Sequence, residues 1–226
     1  MNLLLLIVLH PRRAVESIKS APQWVILFIV LAAVSIILML LQHAHVVRLT
    51  LDHLPASATV EDKFMVEQSL HEQLAIRCAF LPIRLLVGWA SFALLLLYAC
   101  KAWSMTEPVR FQQVFSLEVA AESVMVLAQC ASFIYSLAAR DASFVRIPFG
   151  LDMMISQSHD IVLRMALNAI NVFSLWYVVI LAMGISTFYG ISKIKSITTV
   201  TGVWVVTQLF SATVISLLRD ALHLQL

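Results

Sequence analysis

Two glutamates lie four residues apart inside an apolar stretch of the chain. Glu118 and Glu122 fall within residues 114–137, where no other charged side chain occurs. Because residues four apart share one face of a helix, both carboxyl groups are expected on the same face, with Gln129 further along it. Carboxyl groups at membrane depth are costly unless they face the inside of a bundle, meet a partner or are protonated. The pair therefore indicates either a site for a cation, a proton or a polar substrate, or an interfacial pair close to Arg110.

A second polar set leads into the next apolar stretch. Asp160, Arg164, Asn168 and Asn171 are separated by four, four and three residues, so one helix face would hold all of them. Arg164 can pair with Asp160, and each asparagine can bond to a neighbouring helix for about 0.6 kcal/mol. The set predicts contacts that hold helices together. The alternative is a polar cleft entered from outside, with this set and the glutamate pair as its walls.

Several histidines fall between the apolar stretches, with carboxylates near them in sequence. Imidazole and carboxylate groups suit zinc, copper or nickel. The chain has no HExxH motif, so a metal site would have to assemble from separate loops. Ordinary interfacial histidines are the competing interpretation. The candidate ligands are His43, His45, His71 and His159.

Other familiar chemistry has no motif in the sequence. There is no GxSxG, no CxxC and no glycine-rich phosphate loop, and the whole chain has only five glycines. Cys78, Cys100 and Cys130 are widely spaced, which favours buried small side chains over a disulfide framework. The basic residues are few and dispersed, so nucleic-acid binding is disfavoured. We predict no catalytic residues and no cofactor.

The composition indicates that lipid is the solvent for the elements that must position these residues. The 226 residues are 61% hydrophobic and only 12% charged, and the mean hydropathy is +0.92. Soluble domains carry about 25% charged residues. The apolar runs are continuous and do not alternate, so backbone hydrogen bonding in lipid requires helices. An all-α integral membrane bundle follows.

Five segments approach the length that a spanning helix needs, about 20 residues. We predict a single transmembrane domain over residues 1–226 with a short interfacial helix region before the first span, at residues 1–22. Thr59 is expected to cap an outer helical segment at about 59–77, with acidic residues in its first turn. The predicted spans are residues 24–44, 82–101, 114–137, 167–190 and 196–218.

Orientation is read from lysine and arginine in the short loops. The totals on the two sides are nearly equal. The tightest basic clusters, Arg12-Arg13 and Lys193-x-Lys195, lie close to span ends and favour a cytoplasmic N-terminus. An odd number of spans then places the C-terminus outside.

Two groups of residues carry a resemblance to a known family. One is residues 10–19, HPRRAVESIK, followed by Pro22 and Trp24. The other is residues 167–176, LNAINVFSLW, followed by a glycine and a small lysine loop. Together they resemble Yip-domain membrane proteins, the Ypt-interacting protein family. The positions most like the family are Pro11, Asn171, Trp176, Gly184 and Lys193.

The resemblance implies five transmembrane helices, a cytoplasmic N-terminus and a non-enzymatic role. Eukaryotic relatives act in vesicle traffic with Rab GTPases, and some bacterial relatives are linked to ABC-type export systems. This chain lacks the long N-terminal region and the Asp-x-Tyr-Gly-Pro type motif of the eukaryotic members. It is more similar to a compact bacterial-type member, which implies the bacterial inner (cytoplasmic) membrane.

The predicted function is that of a membrane scaffold or accessory subunit. It would act through contacts with lipids, with other membrane proteins such as an export complex, or with itself. A small transporter or channel is the alternative, with a polar path between the third and fourth spans. A third interpretation is a metal-binding protein that uses the outer histidines. No nucleic-acid partner is expected.

Overall fold

The computed structural model describes residues 3–52, 54–55, 57–102, 109–139, 150–151 and 167–221. Regular structure in these ranges is helical, without a strand, which confirms the all-α prediction. The helices are α1 (Leu3–Leu9), α2 (Pro11–Ser20), α3 (Val25–Asp52), α4 (Val60–Lys101), α5 (Phe111–Ala139), α6 (Val172–Tyr189) and α7 (Lys193–Ala221).

Within the part of the chain that the structure describes, four segments are long and apolar enough to cross a membrane. They are α3, α4, α6 and residues 111–135 of α5. The chain is therefore an integral membrane protein by the length and composition of its helices. The fifth predicted span forms the helix α7, which is not among these four.

Helix α5 is the centre of the bundle. Every residue from Val114 to Ala121 is buried, so this stretch of the helix is covered on all sides. It contacts α1, α2, α3, α4 and α6. A polar side chain in this stretch is held among helices and away from lipid, whichever way it points.

The N-terminal helix pair packs into the bundle. Pro11 is at the first turn of α2, where its missing N–H costs nothing. The buried face of α2 is Ala14, Val15 and Ile18, a helical spacing that places them together against α5 and α6. Lys19 extends this contact, since its Nζ donates to the Thr187 carbonyl of α6 at 3.1 Å.

Helix α4 is far longer than a membrane crossing. Its 42 residues extend about 63 Å at 1.5 Å per residue, against about 30 Å for the hydrocarbon layer. The predicted outer helix and second span are thus one helix that continues through Pro82. Thr59 caps it as predicted, in a reciprocal capping box with Asp62.

Residues 60–78 of α4, here called the outer arm, contact the rest of the described chain along one stripe. The half-buried positions recur every fourth residue, at Val66, Leu70, Leu74 and Cys78. The stripe faces the second half of α3, where Cys78 Sγ lies 3.8 Å from Met39 Sδ. The remaining faces of the arm are exposed.

Candidate functional site

Glu118 is buried at the centre of the bundle and bonds to one helix opposite. Its side chain is 1% exposed. The hydroxyl of Tyr177 on α6 donates to Glu118 Oε1 at 2.8 Å. Glu118 Oε2 is also buried, and no hydrogen-bond partner for it occurs among the described residues. One carboxyl oxygen is therefore available to something that these residues do not supply.

The two glutamates line a cavity of about 520 Å³ between α4, α5, α6 and α7. Glu122 is only half-buried, one helical turn beyond Glu118. Aromatic rings form much of the wall, and Phe92 and Tyr177 lie 6.1 Å apart between ring centroids. The cavity combines an apolar wall with a few convergent polar groups, as small-molecule sites do. Its polar lining is Ser91, Glu118, Glu122, Tyr177, Thr207, Gln208 and Ser211.

The polar residues further along form a second cavity, of about 390 Å³. Gln129 lines it from α5, and Asn168 lines it from the segment before α6. Gln129 is eleven residues after Glu118, which is about 16 Å along the helix axis. The two residues share a helix face, but each lines a different cavity. The single cleft expected from the sequence is therefore divided between two cavities. The other polar lining residues of the second one are Ser35, Gln42, Arg84 and Ser132.

Asn171 has a local structural role that the expected helix face did not include. The helical residues 167–169 end before it, and it caps α6. Its Oδ1 accepts from the Ser174 amide at 2.9 Å, and its Nδ2 donates to the Asn168 carbonyl at 2.9 Å. Asn168 and Asn171 therefore do not lie on one continuous helix face. Asp160 and Arg164, the first half of the predicted set, lie outside the described residues.

Two of the candidate metal ligands meet between α3 and α4. His43 Nε2 and His71 Nδ1 are 3.0 Å apart, and Glu67 Oε1 is 3.8 Å from His71 Nε2. His45 lies on α3 two residues beyond His43, and His159 is outside the described residues. Among the residues that the structure describes, no group of three or more His, Cys, Asp or Glu is arranged to hold a metal ion.

The family-like residues take mainly structural positions. Gly184 faces α5 so closely that an added Cβ would overlap Leu117. Trp176 is partly exposed on α6, and Lys193 is the first residue of α7. Pro11 starts α2 and Asn171 starts α6, as described above.

Sequence reasoning missed the residues that line the cavity with the glutamates. Tyr177 was not singled out, although a tyrosine inside an apolar stretch requires a hydrogen-bond partner when buried. Thr207 and Gln208 on α7 were missed too, although an amide within a span is a signal of the same kind. Trp89 was missed for lack of any local signal.

The fold and the cavity place the chain in a class, that of all-α, multi-span membrane proteins with polar groups inside the bundle. The family model of the Yip1 domain matches residues 5–215. This chain belongs to the Yip1 domain family. Comparisons with curated proteins and with solved structures return no match.

Proposed function

We propose that this protein is a non-enzymatic membrane scaffold or accessory subunit that binds another membrane protein through its outer arm. The observation that carries the proposal is the length of α4. About 30 Å of this helix extends past the hydrocarbon layer. The sequence of the arm is too polar for lipid, since six of its residues from Glu61 to Arg77 carry a full charge. The arm therefore lies in water or against a partner.

Large apolar side chains on the arm support a protein partner. Phe64 is 65% exposed and Met65 is 63% exposed, and both lie off the stripe that contacts α3. Ile76 is exposed further along. Exposed aromatic and methionine side chains next to charged ones are typical of binding surfaces. The arm contacts the rest of the described chain along one stripe, which leaves its exposed faces able to pack against a helix of a partner.

The proposed topology has five spans and a cytoplasmic N-terminus in the bacterial inner membrane. α7 is the fifth span, and the α1–α2 pair lies at the cytoplasmic interface. Two contacts support the last point. Gln113 Nε2, at the start of α5, donates to the Lys19 carbonyl at 3.1 Å, and Lys19 Nζ reaches the end of α6. The N-terminal pair, the start of α5 and the end of α6 thus share one end of the bundle.

Site-specific photo-crosslinking in native membranes tests the proposal. A photoreactive phenylalanine analogue replaces Phe64 on the arm or, as a control, Leu94 in the apolar half of the same helix. The expected result is a discrete protein adduct from position 64, identified by mass spectrometry, and only lipid adducts from position 94. Lipid adducts alone from both positions would overturn the proposal.

A small transporter or channel is the second candidate function. The observation that favours it is the cavity lined by Glu118 and Glu122 at membrane depth. Flux across reconstituted vesicles would separate the two functions. A transporter loses flux in the Glu118→Gln/Glu122→Gln variant while the protein still inserts, whereas unchanged flux in a working assay would exclude this path.

A further inference from the structure

The cavity between α4, α5, α6 and α7 has a chemistry that a scaffold does not use. We propose that it binds an organic ammonium ion with an apolar body, with the charged nitrogen at Glu118 and Glu122. This inference goes beyond the scaffold proposal and does not rest on it. It also assigns a ligand class to the transport alternative, although binding alone does not require transport.

The charge of the cavity wall has one sign. Two carboxyl groups line it, and no lysine, arginine or histidine does so among the described residues. Interactions between charges are several times stronger in a low-dielectric interior than in water. A carboxylate in such a wall is therefore strongly stabilised by a bound cation.

We assign the ligand's hydrogen bond to the buried oxygen Oε2 of Glu118, a residue that lines the cavity. Tyr177 occupies Oε1, and Oε2 has no partner within the described part of the chain. An unsatisfied buried acceptor costs about 1–3 kcal/mol. An ammonium N–H donates to this oxygen without displacing Tyr177, and Glu122 is one turn away on the same helix face.

The rest of the wall fits the apolar body of the ligand. Indole and phenyl rings attract cations at their faces and bury apolar groups equally well. A volume of about 520 Å³ is far larger than a bare metal ion needs and lies in the range of small-molecule sites, about 300–1,000 Å³. The aromatic residues that line it are Trp89, Phe92, Tyr177, Trp204 and Phe210.

The second cavity provides an internal control. It is lined by amides and hydroxyls, its charged lining residue is Arg84, and no carboxylate lines it among the described residues. The described wall therefore has no negative charge to attract a cation, and Arg84 repels one. Gln129→Ala, which alters this cavity only, is expected to leave ammonium binding unchanged.

The test uses the full chain in nanodiscs of zwitterionic lipid, with 2-phenylethylammonium as the probe. Its neutral counterpart of nearly equal size, 2-phenylethanol, is the matched ligand control. Binding is followed by tryptophan fluorescence, because Trp89 and Trp204 line the cavity, and by the shift in Tm. Empty nanodiscs give the contribution of partitioning into lipid.

The expected result is saturable binding of the ammonium ion, at least about tenfold tighter than that of the alcohol, which corresponds to about 1.4 kcal/mol. Glu118→Gln/Glu122→Gln removes that preference. Glu122→Gln alone leaves the Tyr177–Glu118 hydrogen bond in place, so it weakens binding in a protein whose Tm without ligand is unchanged.

Three results would each overturn the inference: no saturable signal above empty nanodiscs, equal binding of the alcohol, or full binding by the glutamine variants. None of them bears on the outer arm, because the crosslinks from position 64 are measured without the probe.

Discussion

The hydrogen bond between Tyr177 and Glu118 is a polar contact that joins α5 to α6 deep in the bundle. At 2.8 Å, and with both side chains buried, it satisfies one oxygen of a buried carboxyl group. Tyr177 is 4% exposed, so its ring also contributes to the core. The pair thus combines packing with the satisfaction of a costly polar group.

Tyr177→Phe is expected to lower the free energy of unfolding by about 1–3 kcal/mol, because it leaves a buried acceptor without a donor. The matched control is Tyr98→Phe on α4, where the ring is 66% exposed, and no measurable change is expected. Reversible unfolding in mixed micelles measures both variants.

A double-mutant cycle then attributes the loss to the pair. Tyr177→Phe combined with Glu118→Ala, which removes the acceptor, should show a coupling free energy of about 0.5–3 kcal/mol, as for residues in direct contact. Additive effects would mean that the hydroxyl acts elsewhere.

The sequence predicted the polar residues better than it predicted their neighbours. The spacing of Glu118 and Glu122 was enough to place both on one helix face, because helix geometry alone determines it. The residues that line the cavity with them are on α4, α6 and α7, and their proximity depends on tertiary packing. In lipid, the outer and inner faces of a helix are both apolar, so hydrophobic periodicity does not reveal which face is inside.

The packing of α5 on α6 depends on a close approach at Gly184. Gly184 on α6 lies against Leu117, which is fully buried on α5. At Gly202 on α7, a Cβ would meet no described atom within 4 Å apart from the chain neighbours and the backbone of its own helix. The two glycines therefore differ in what a methyl group would meet.

Gly184→Ala is expected to destabilise the protein by about 1–3 kcal/mol through overpacking. Gly202→Ala, the matched control, should be neutral or up to about 1 kcal/mol stabilising, because alanine favours helix. Both free energies come from the same unfolding assay. Equal effects at the two positions would contradict the close packing of α5 on α6.

The N-terminal cap of α6 gives a second prediction about the stability of a single helix. Asn171→Ala is expected to lower the free energy of unfolding by about 1 kcal/mol, because it leaves the Ser174 amide without its acceptor. Asn171→Ser keeps an acceptor and should recover most of that loss in the same assay. If the serine variant were as unstable as the alanine variant, the cap would not be the cause.

Asn171 also illustrates what the sequence could not distinguish. An asparagine three residues after another fits both a helix face and a helix start, and only the Ser174 contact decides between them. Thr59 was easier to interpret, because the acidic residues after it complete a capping box.

The whole molecule is a helical bundle whose topology in the membrane follows from α7. If this helix spans, the two ends of the described chain lie on opposite sides, and the outer arm lies across the membrane from Lys193. Cysteine labelling in intact cells tests this, after the three native cysteines are replaced by alanine.

Lys63→Cys and Arg219→Cys are expected to react with an impermeant maleimide from outside, and Lys193→Cys only after the membrane is opened. Labelling of position 219 together with position 193 would show that α7 does not cross. Labelling of positions 63 and 193 from the same side would contradict the bundle itself.

Composition was sufficient to predict the all-α membrane class, because continuous apolar runs in lipid leave few alternatives. The count of spans was harder, since α7 mixes threonine and glutamine with its apolar residues. The exposed arm and the packed N-terminal pair could be located from the sequence as helices, but their contacts could not.

The most direct test of the central claim is quantitative capture of the partner from native membranes. Phe64→Ser/Met65→Ser alters the exposed face of the arm, and Glu118→Gln/Glu122→Gln alters the cavity. If the arm binds the partner, the arm variant loses at least about 90% of the captured partner, as expected for loss of more than about 1.4 kcal/mol. The cavity variant then captures as much as wild type. Full capture by the arm variant, with loss in the cavity variant, would contradict binding through the arm.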